Sequence, residues 1–174
     1  IDLMINEIKA KSGQLDVLVN NAGIAIDTTL EDKTKDNFRH ILDVNLLGPF
    51  LVSKAAIKVM SKGSIINIAS TNGIDTYYSY SLDYDASKAG LINMTHNLAV
   101  LLAPNIRVNA VAPGWVMTDM NKELDQEQIA DECNNILLKR FAEPQEIADV
   151  VFFLASDKAK YIDNTVIRVD GGLG

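Results

Sequence analysis

Tyr84 and Lys88 lie four residues apart in a proline-free stretch from Leu82 to Leu102. Four residues is about one helical turn, so the phenol and the ammonium share a helix face. A cation beside a phenol favours the phenolate and lowers a pKa that is about 10 in water. That shift turns a tyrosine into an acid/base group usable near neutral pH. Upstream, the apolar run Ser64–Ala69 ends in the polar loop Ser70-Thr71-Asn72-Gly73. Ser70 at the strand end is the candidate hydroxyl partner of Tyr84, with Thr71 as its rival. Tyr77, Tyr78, Tyr80 and Tyr161 have Ser81, Leu82, Tyr84 and Thr165 four residues on, never a lysine. They read as packing or pocket-wall residues, the first three shaping access to the site.

Other chemistries find less support. No GxSxG motif is present, and His40 and His96 fall at helical positions, which argues against a hydrolase. One cysteine, Cys133, two distant histidines and no HExxH motif argue against a metal site.

The elements that must position these residues alternate. A helix over 1 to 12 precedes a strand, LDVLVN, at Leu15 to Asn20. A long helix is predicted from Lys35 to Met60. A strand over 64 to 69 leads into a helix over 82 to 102. Strand Asn105 to Val111 is followed by a loop from Pro113 to about Lys122. Helices over 125 to 138 and Pro144 to Leu154 precede a last strand, Thr165 to Val169. Such alternation predicts βαβ units, a parallel sheet and helices on both faces. Ligands of such sheets sit beyond the C-terminal strand ends. Asn20 to Gly23, Ser70 to Gly73 and Pro113 to Thr118 all fall there, so one shared cleft is expected.

Pro49 lies inside the predicted long helix. Proline has no N–H and collides with the carbonyl four residues back, here that of Asn45. The Asn45 carbonyl is therefore expected to lose its helical partner and to take water instead, either as a plain kink or as a water site beside the cleft.

The chain has 174 residues, 48% hydrophobic and 22% charged, which suits one domain with a substantial core. A net charge of −7 without a Lys/Arg-rich run argues against nucleic acid and anionic membrane as partners. A lone cysteine and the lack of a long apolar run or signal peptide lead us to expect a cytoplasmic protein.

In these residues the chain resembles the short-chain dehydrogenase/reductase family, and within it the 3-oxoacyl-carrier-protein reductase-like group. The resemblance rests on Asn20-Asn21-Ala22-Gly23, Asn45 in DVNLLG, Ser70 in IINIAS, Tyr84 to Lys88 in YDASK, Pro113-Gly114-Trp115-Val116 with Thr118, and Asp170-Gly171-Gly172. It implies a Rossmann-like doubly wound parallel sheet and an NAD- or NADP-dependent oxidoreductase interconverting a ketone and a secondary alcohol. It implies Tyr84 as acid/base, Ser70 as holder of the substrate oxygen, Lys88 as support for the phenolate and ligand of the nicotinamide ribose, and Asn45 as holder of a water linked to Lys88. Asn21, Ala22 and Gly23 would line the adenosine side of the cofactor. Pro113, Gly114, Val116 and Thr118 would meet the carboxamide side. A small carbonyl or alcohol substrate and, at full length, a homotetramer follow by the same resemblance. Candidate substrates are 3-oxoacyl thioesters, sugars or polyols, and small ketones.

The family opens with a glycine-rich TGxxxGxG turn that cradles the cofactor pyrophosphate, and none of the ten glycines forms it. By that comparison residues 1–174 are one domain, the C-terminal portion of a Rossmann-type unit with about four strands, lacking roughly 65 to 75 residues of N-terminal βαβ structure. Two expectations follow. LDVLVN becomes an unpaired sheet edge, and the chain by itself binds dinucleotide weakly. A non-catalytic dinucleotide-sensing or scaffold relative, or an inactive fragment, is the competing reading.

Overall fold

The computed structural model describes residues 1–121 and 124–174. Lys122, the expected end of the loop after the third strand, lies outside the described residues. The sheet has four strands: β1 (Val17–Asn20), β2 (Gly63–Ile68), β3 (Ile106–Pro113) and β4 (Val166–Val169). They are ordered β1-β2-β3-β4 and every pairing is parallel. Parallel neighbours need a crossover through a helical layer. Here α2 (Lys35–Leu42) and α3 (Gly48–Ala56) join β1 to β2. Helix α4 (Leu82–Leu102) joins β2 to β3, and α5 (Gln126–Asn134) and α6 (Pro144–Ala155) join β3 to β4. Helix α1 (Asp2–Ser12) precedes β1.

Successive strand residues face opposite sides, and β2 makes this visible. Ile65 packs with Ile5, Ala56, Met60, Ala99 and Val108, under α1, α3 and α4. Ile66 packs with Val111 and Leu154, under α6. Both isoleucines are fully buried, each contributing about 1.5–3 kcal/mol of transfer free energy. The sheet is thus covered on both faces, as the alternation of elements predicts. Strand β1 stands at one edge, with Val17 and Val19 exposed.

Two elements differ from expectation. The predicted helix from Lys35 to Met60 is interrupted by a π-helical turn, Asp43–Leu47, and α3 ends at Ala56. The cause is Pro49. It sits in the first turn of α3, where the missing N–H is tolerated, and the extra residue of the π turn lets the Gly48 N–H bond the Asp43 carbonyl. The helix predicted over 125 to 138 stops at Asn134. The Leu137 and Leu138 amides donate instead to the carbonyls of Gly172 and Gly171, and Ile136 turns inward to full burial.

Candidate active site

Because the strands are parallel, the segments after Asn20, Ile68, Pro113 and Val169 leave the sheet at one edge. There they enclose a cleft of about 1440 Å³. Asn21, Ala22 and Gly23 form part of its wall; so do Ser70, Tyr84 and Lys88, and so do Pro113, Gly114, Val116 and Thr118. Asn45 does not line it.

The turn after β1 is fastened by buried amides. Asn20 Nδ2 donates to Asn67 Oδ1 at 2.8 Å and to Ser53 Oγ at 3.0 Å. Asn67 Nδ2 donates in turn to Thr95 Oγ1 at 2.9 Å. Asn20 and Asn67 are register partners in β1 and β2, so this chain ties α3 and α4 to two adjacent strand ends. Asn45, fully buried in the π turn, binds Ile24 reciprocally. Its Oδ1 accepts from the Ile24 N–H and its Nδ2 donates to the Ile24 carbonyl, both at 2.9 Å. Nδ2 also donates to Ser87 Oγ at 3.1 Å. The expectation for Asn45 concerned its backbone carbonyl. What the structure adds is its side chain, which locks the residue after Gly23 to the helix of Tyr84. Gly23 fits tightly here: a Cβ would stand 3.3 Å from Lys88 Nζ and 3.5 Å from Asn45 Oδ1.

Ser70 leaves β2 in an extended conformation and caps a short 3-10 turn, Thr71–Gly73. Its Oγ accepts from the Asn72 N–H and donates to Asn72 Oδ1, both at 3.2 Å. Asn72 Nδ2 donates to Asp85 Oδ1 at 2.8 Å, and the same oxygen accepts from Ser81 Oγ. Asp85, one residue past Tyr84, thereby pins both ends of the loop that carries Tyr77 and Tyr78 along the cleft. Tyr80 is off the cleft wall and packs edge-on against Tyr78, ring centres 5.6 Å apart.

Tyr84 and Lys88 share a face of α4, with Lys88 Nζ 5.5 Å from the centre of the Tyr84 ring. The electrostatics differ from the expected pairing. The Tyr84 phenol is raised above its ordinary value, first by burial and further by Asp85 and Asp27, while hydrogen bonding with Ser70 pulls it down. Lys88 donates to the Ile68 carbonyl at 2.7 Å, and burial lowers its pKa to about 8. Loss of solvation is the largest cause at both groups.

After β3, Gly114 is pressed against the turn after β4, where a Cβ would stand 2.8 Å from the Asp170 Cβ. The Trp115 indole stacks on Phe141 at 5.2 Å and donates to Glu132 Oε2 at 3.0 Å. Arg168 on β4 grips Asp75 of the tyrosine-rich loop through both carboxylate oxygens, at 2.8 Å each, and also binds Asp170. Sequence reasoning missed Asn67, Asp85, Glu132 and the Arg168–Asp75 pair. Of these, only Asn67 carries a signal, an amide in the middle of an apolar strand.

The family model described as enoyl-(acyl carrier protein) reductase matches residues 1–174. The 3-oxoacyl-(acyl-carrier-protein) reductase of Thermotoga maritima is 42% identical over 174 residues, covering 98% of this chain and 70% of that protein. The enzyme of the same description from Aquifex aeolicus is 44% identical over 163 residues, covering 91% of this chain and 65% of that protein. Among solved structures, a Burkholderia cenocepacia gluconate 5-dehydrogenase in complex with NADP and tartrate superposes with a TM-score of 0.94 at 30% identity, covering 99% of this chain and 69% of that one. The Thermoplasma acidophilum aldohexose dehydrogenase superposes with a TM-score of 0.93 at 34% identity, covering 99% and 72%. The parallel sheet, the cleft at its C-terminal edge and these matches lead to one assignment: the chain belongs to the short-chain dehydrogenase/reductase family of oxidoreductases.

Proposed function

We propose that this protein is an NAD- or NADP-dependent enzyme that interconverts a ketone and a secondary alcohol, with Tyr84 as its acid/base. The observation that carries the proposal is the convergence of Tyr84, Ser70 and Lys88 on one cleft, together with Gly114 and Thr118. The residues present fit the nicotinamide end of the cofactor. Gly23 leaves space beside Lys88 that any side chain would fill, and Asn21 and Ala22 continue that groove toward the adenosine side. Lys88 is the ligand for the ribose; Pro113, Gly114, Val116 and Thr118 form the carboxamide side. Bound NADH or NADPH supplies the hydride.

The chain's own part follows from its protonation. A phenol raised above its ordinary value is protonated at neutral pH, so Tyr84 donates its proton to the carbonyl oxygen during reduction. Ser70 hydrogen-bonds the same oxygen and stabilises the negative charge that develops there, an oxyanion-hole task. In the reverse direction Tyr84 takes the proton from the alcohol. Asn45 keeps Gly23, Ser87 and hence Lys88 in register through Ile24. The cofactor class is that of the structural relative solved with NADP.

The named relatives act on acyl-carrier thioesters or on sugars and sugar acids. The cleft wall favours the latter for this chain. Asp27 lines it with Tyr77, Tyr78 and Trp115, a set suited to hydroxyl groups, while Asp75 and Glu132 are held by Arg168 and Trp115. Assembly as a tetramer through the two long helical segments is supported by exposed Phe50 and Leu51 on α3 and Val100 and Leu101 on α4. Among the described residues no helix is long and apolar enough to cross a membrane, and the free Cys133 accords with a cytoplasmic setting. The test is a titration of the complete protein with NADH and NADPH, followed by a carbonyl panel containing ketoses and 3-oxoacyl thioesters. Binding of one cofactor and oxidation of it by a ketose is the expected result. No binding of either would overturn the proposal.

A further inference from the structure

Lys33 and Asp83 lie fifty residues apart in sequence and form an ion pair at 2.9 Å, with their side chains only 5% and 0% exposed. An ammonium carries three donors, and all three of Lys33 are engaged. Besides Asp83 Oδ1 they reach the Ile26 carbonyl at 2.6 Å and the Tyr80 carbonyl at 3.3 Å. The Tyr80 carbonyl also accepts from the Thr28 N–H at 3.1 Å. Asp83 Oδ1 in turn accepts from the Tyr84 N–H at 3.0 Å. One buried ammonium therefore joins the loop after β1, the end of the tyrosine-rich loop and the first turn of α4.

We infer that Lys33 and Asp83 are positioning residues for Tyr84, a buried fastening that fixes where α4 begins relative to the cleft wall at Ile26 and Asp27. Stability alone does not account for the pair. A buried ion pair is often no more stabilising than apolar side chains of similar size. Among the described residues this one also leaves Asp83 Oδ2 buried without a hydrogen-bond partner, and Thr28 Oγ1 likewise. What an apolar pair would lack is direction: Lys33 aims at three acceptors on three segments, and Asp83 holds the Tyr84 amide. Asp83 also places a carboxylate at the N-terminal end of the α4 dipole, where it is favoured.

The inference rests on the reading of Tyr84 as the acid/base, and the experiment separates the two. Lys33→Met, Asp83→Asn and the double variant are made in the complete protein. Melting temperature, amide exchange, and kcat and KM for ketone reduction are measured. Lys33→Met strands a buried carboxylate and lowers the melting temperature. The double variant removes that charge, keeps an acceptor for the Tyr84 N–H, and recovers most of the loss. In both, the Thr28, Tyr84 and Asp85 amides exchange about tenfold faster while those of β2 and β3 keep their protection. A displacement of about 1 Å at a reacting group is worth on the order of 10²-fold in rate, so kcat falls by about 10- to 100-fold in the double variant with KM little changed. A double variant with wild-type exchange and wild-type kcat overturns the inference. A wild-type protein with no carbonyl turnover, but with the accelerated exchange in the variants, overturns the reading of Tyr84 and leaves the fastening established.

Discussion

Lys88 Nζ stands 5.5 Å from the centre of the Tyr84 ring, yet its hydrogen bond goes to the Ile68 carbonyl at 2.7 Å. The ammonium is thus held by the strand that leads to Ser70, and so ties that strand to the helix of Tyr84. Burial lowers the Lys88 pKa from 10.5 to about 8. Between those values the unfolded chain holds the proton and the folded chain does not, so this group makes stability rise with pH across that window. The contribution is at most about 3 kcal/mol. Urea unfolding without cofactor at roughly pH 7.5 and pH 9.5 should show a steeper gain in the wild type than in Lys88→Met. Equal gains would place Lys88 in water rather than under the cleft.

Asn45 gives a second expectation. Asn45→Ala leaves the Ile24 N–H and carbonyl without their partner, while the Ser87 hydroxyl keeps its bond to the Tyr84 carbonyl. Each buried group left unsatisfied costs about 1–3 kcal/mol. The variant should lose at least about 2 kcal/mol in urea unfolding and bind cofactor more weakly. Asn45→Asp keeps the acceptor but not the donor, and should fall between the two. An Asn45→Ala protein with wild-type stability would contradict the reciprocal pairing with Ile24.

The amide chain through the sheet is tested by Asn67→Leu. The substitution is close in volume but removes one of the two acceptors of the Asn20 amide, the other being Ser53 Oγ, and removes the donor to Thr95. Stability should drop by about 1–3 kcal/mol. A neutral outcome would mean that water satisfies these groups.

Much of this was legible in the residues, and what was not has physical reasons. Helix α4 follows its predicted bounds because an uninterrupted helical stretch meets Pro104. The strands show because sheets covered on both faces need runs such as Ile65-Ile66. The cleft follows from parallel order, which puts every strand exit at one edge. The π turn was not legible: a proline announces a broken ladder, but not that the helix takes in an extra residue. Nor could helical spacing show that Lys88 and Tyr84 are dominated by lost solvation, because burial comes from segments distant in sequence. Lys33–Asp83 and Arg168–Asp75 join segments fifty and ninety-three residues apart and leave no periodic trace.

The Arg168–Asp75 pair yields a prediction of the opposite kind. It is partly exposed, at 35% and 56% of the two side chains, and such pairs contribute about 0–1 kcal/mol. Asp75→Asn should therefore leave the melting temperature nearly unchanged. It should loosen the loop carrying Tyr77 and Tyr78, and so raise KM for the carbonyl substrate more than it lowers kcat. A kcat effect with constant KM would assign Asp75 to the chemistry instead.

The most direct measurement is Tyr84→Phe in the complete protein, following NADH or NADPH oxidation with the substrate found in the carbonyl panel. The substitution removes one hydroxyl from a ring on the cleft wall and leaves α4 intact. General acid catalysis contributes about 10²- to 10⁴-fold, so kcat should fall by that order while cofactor binding and the melting temperature stay close to wild type. A variant that folds, binds cofactor and turns over at the wild-type rate would contradict the assignment of Tyr84 as the acid/base.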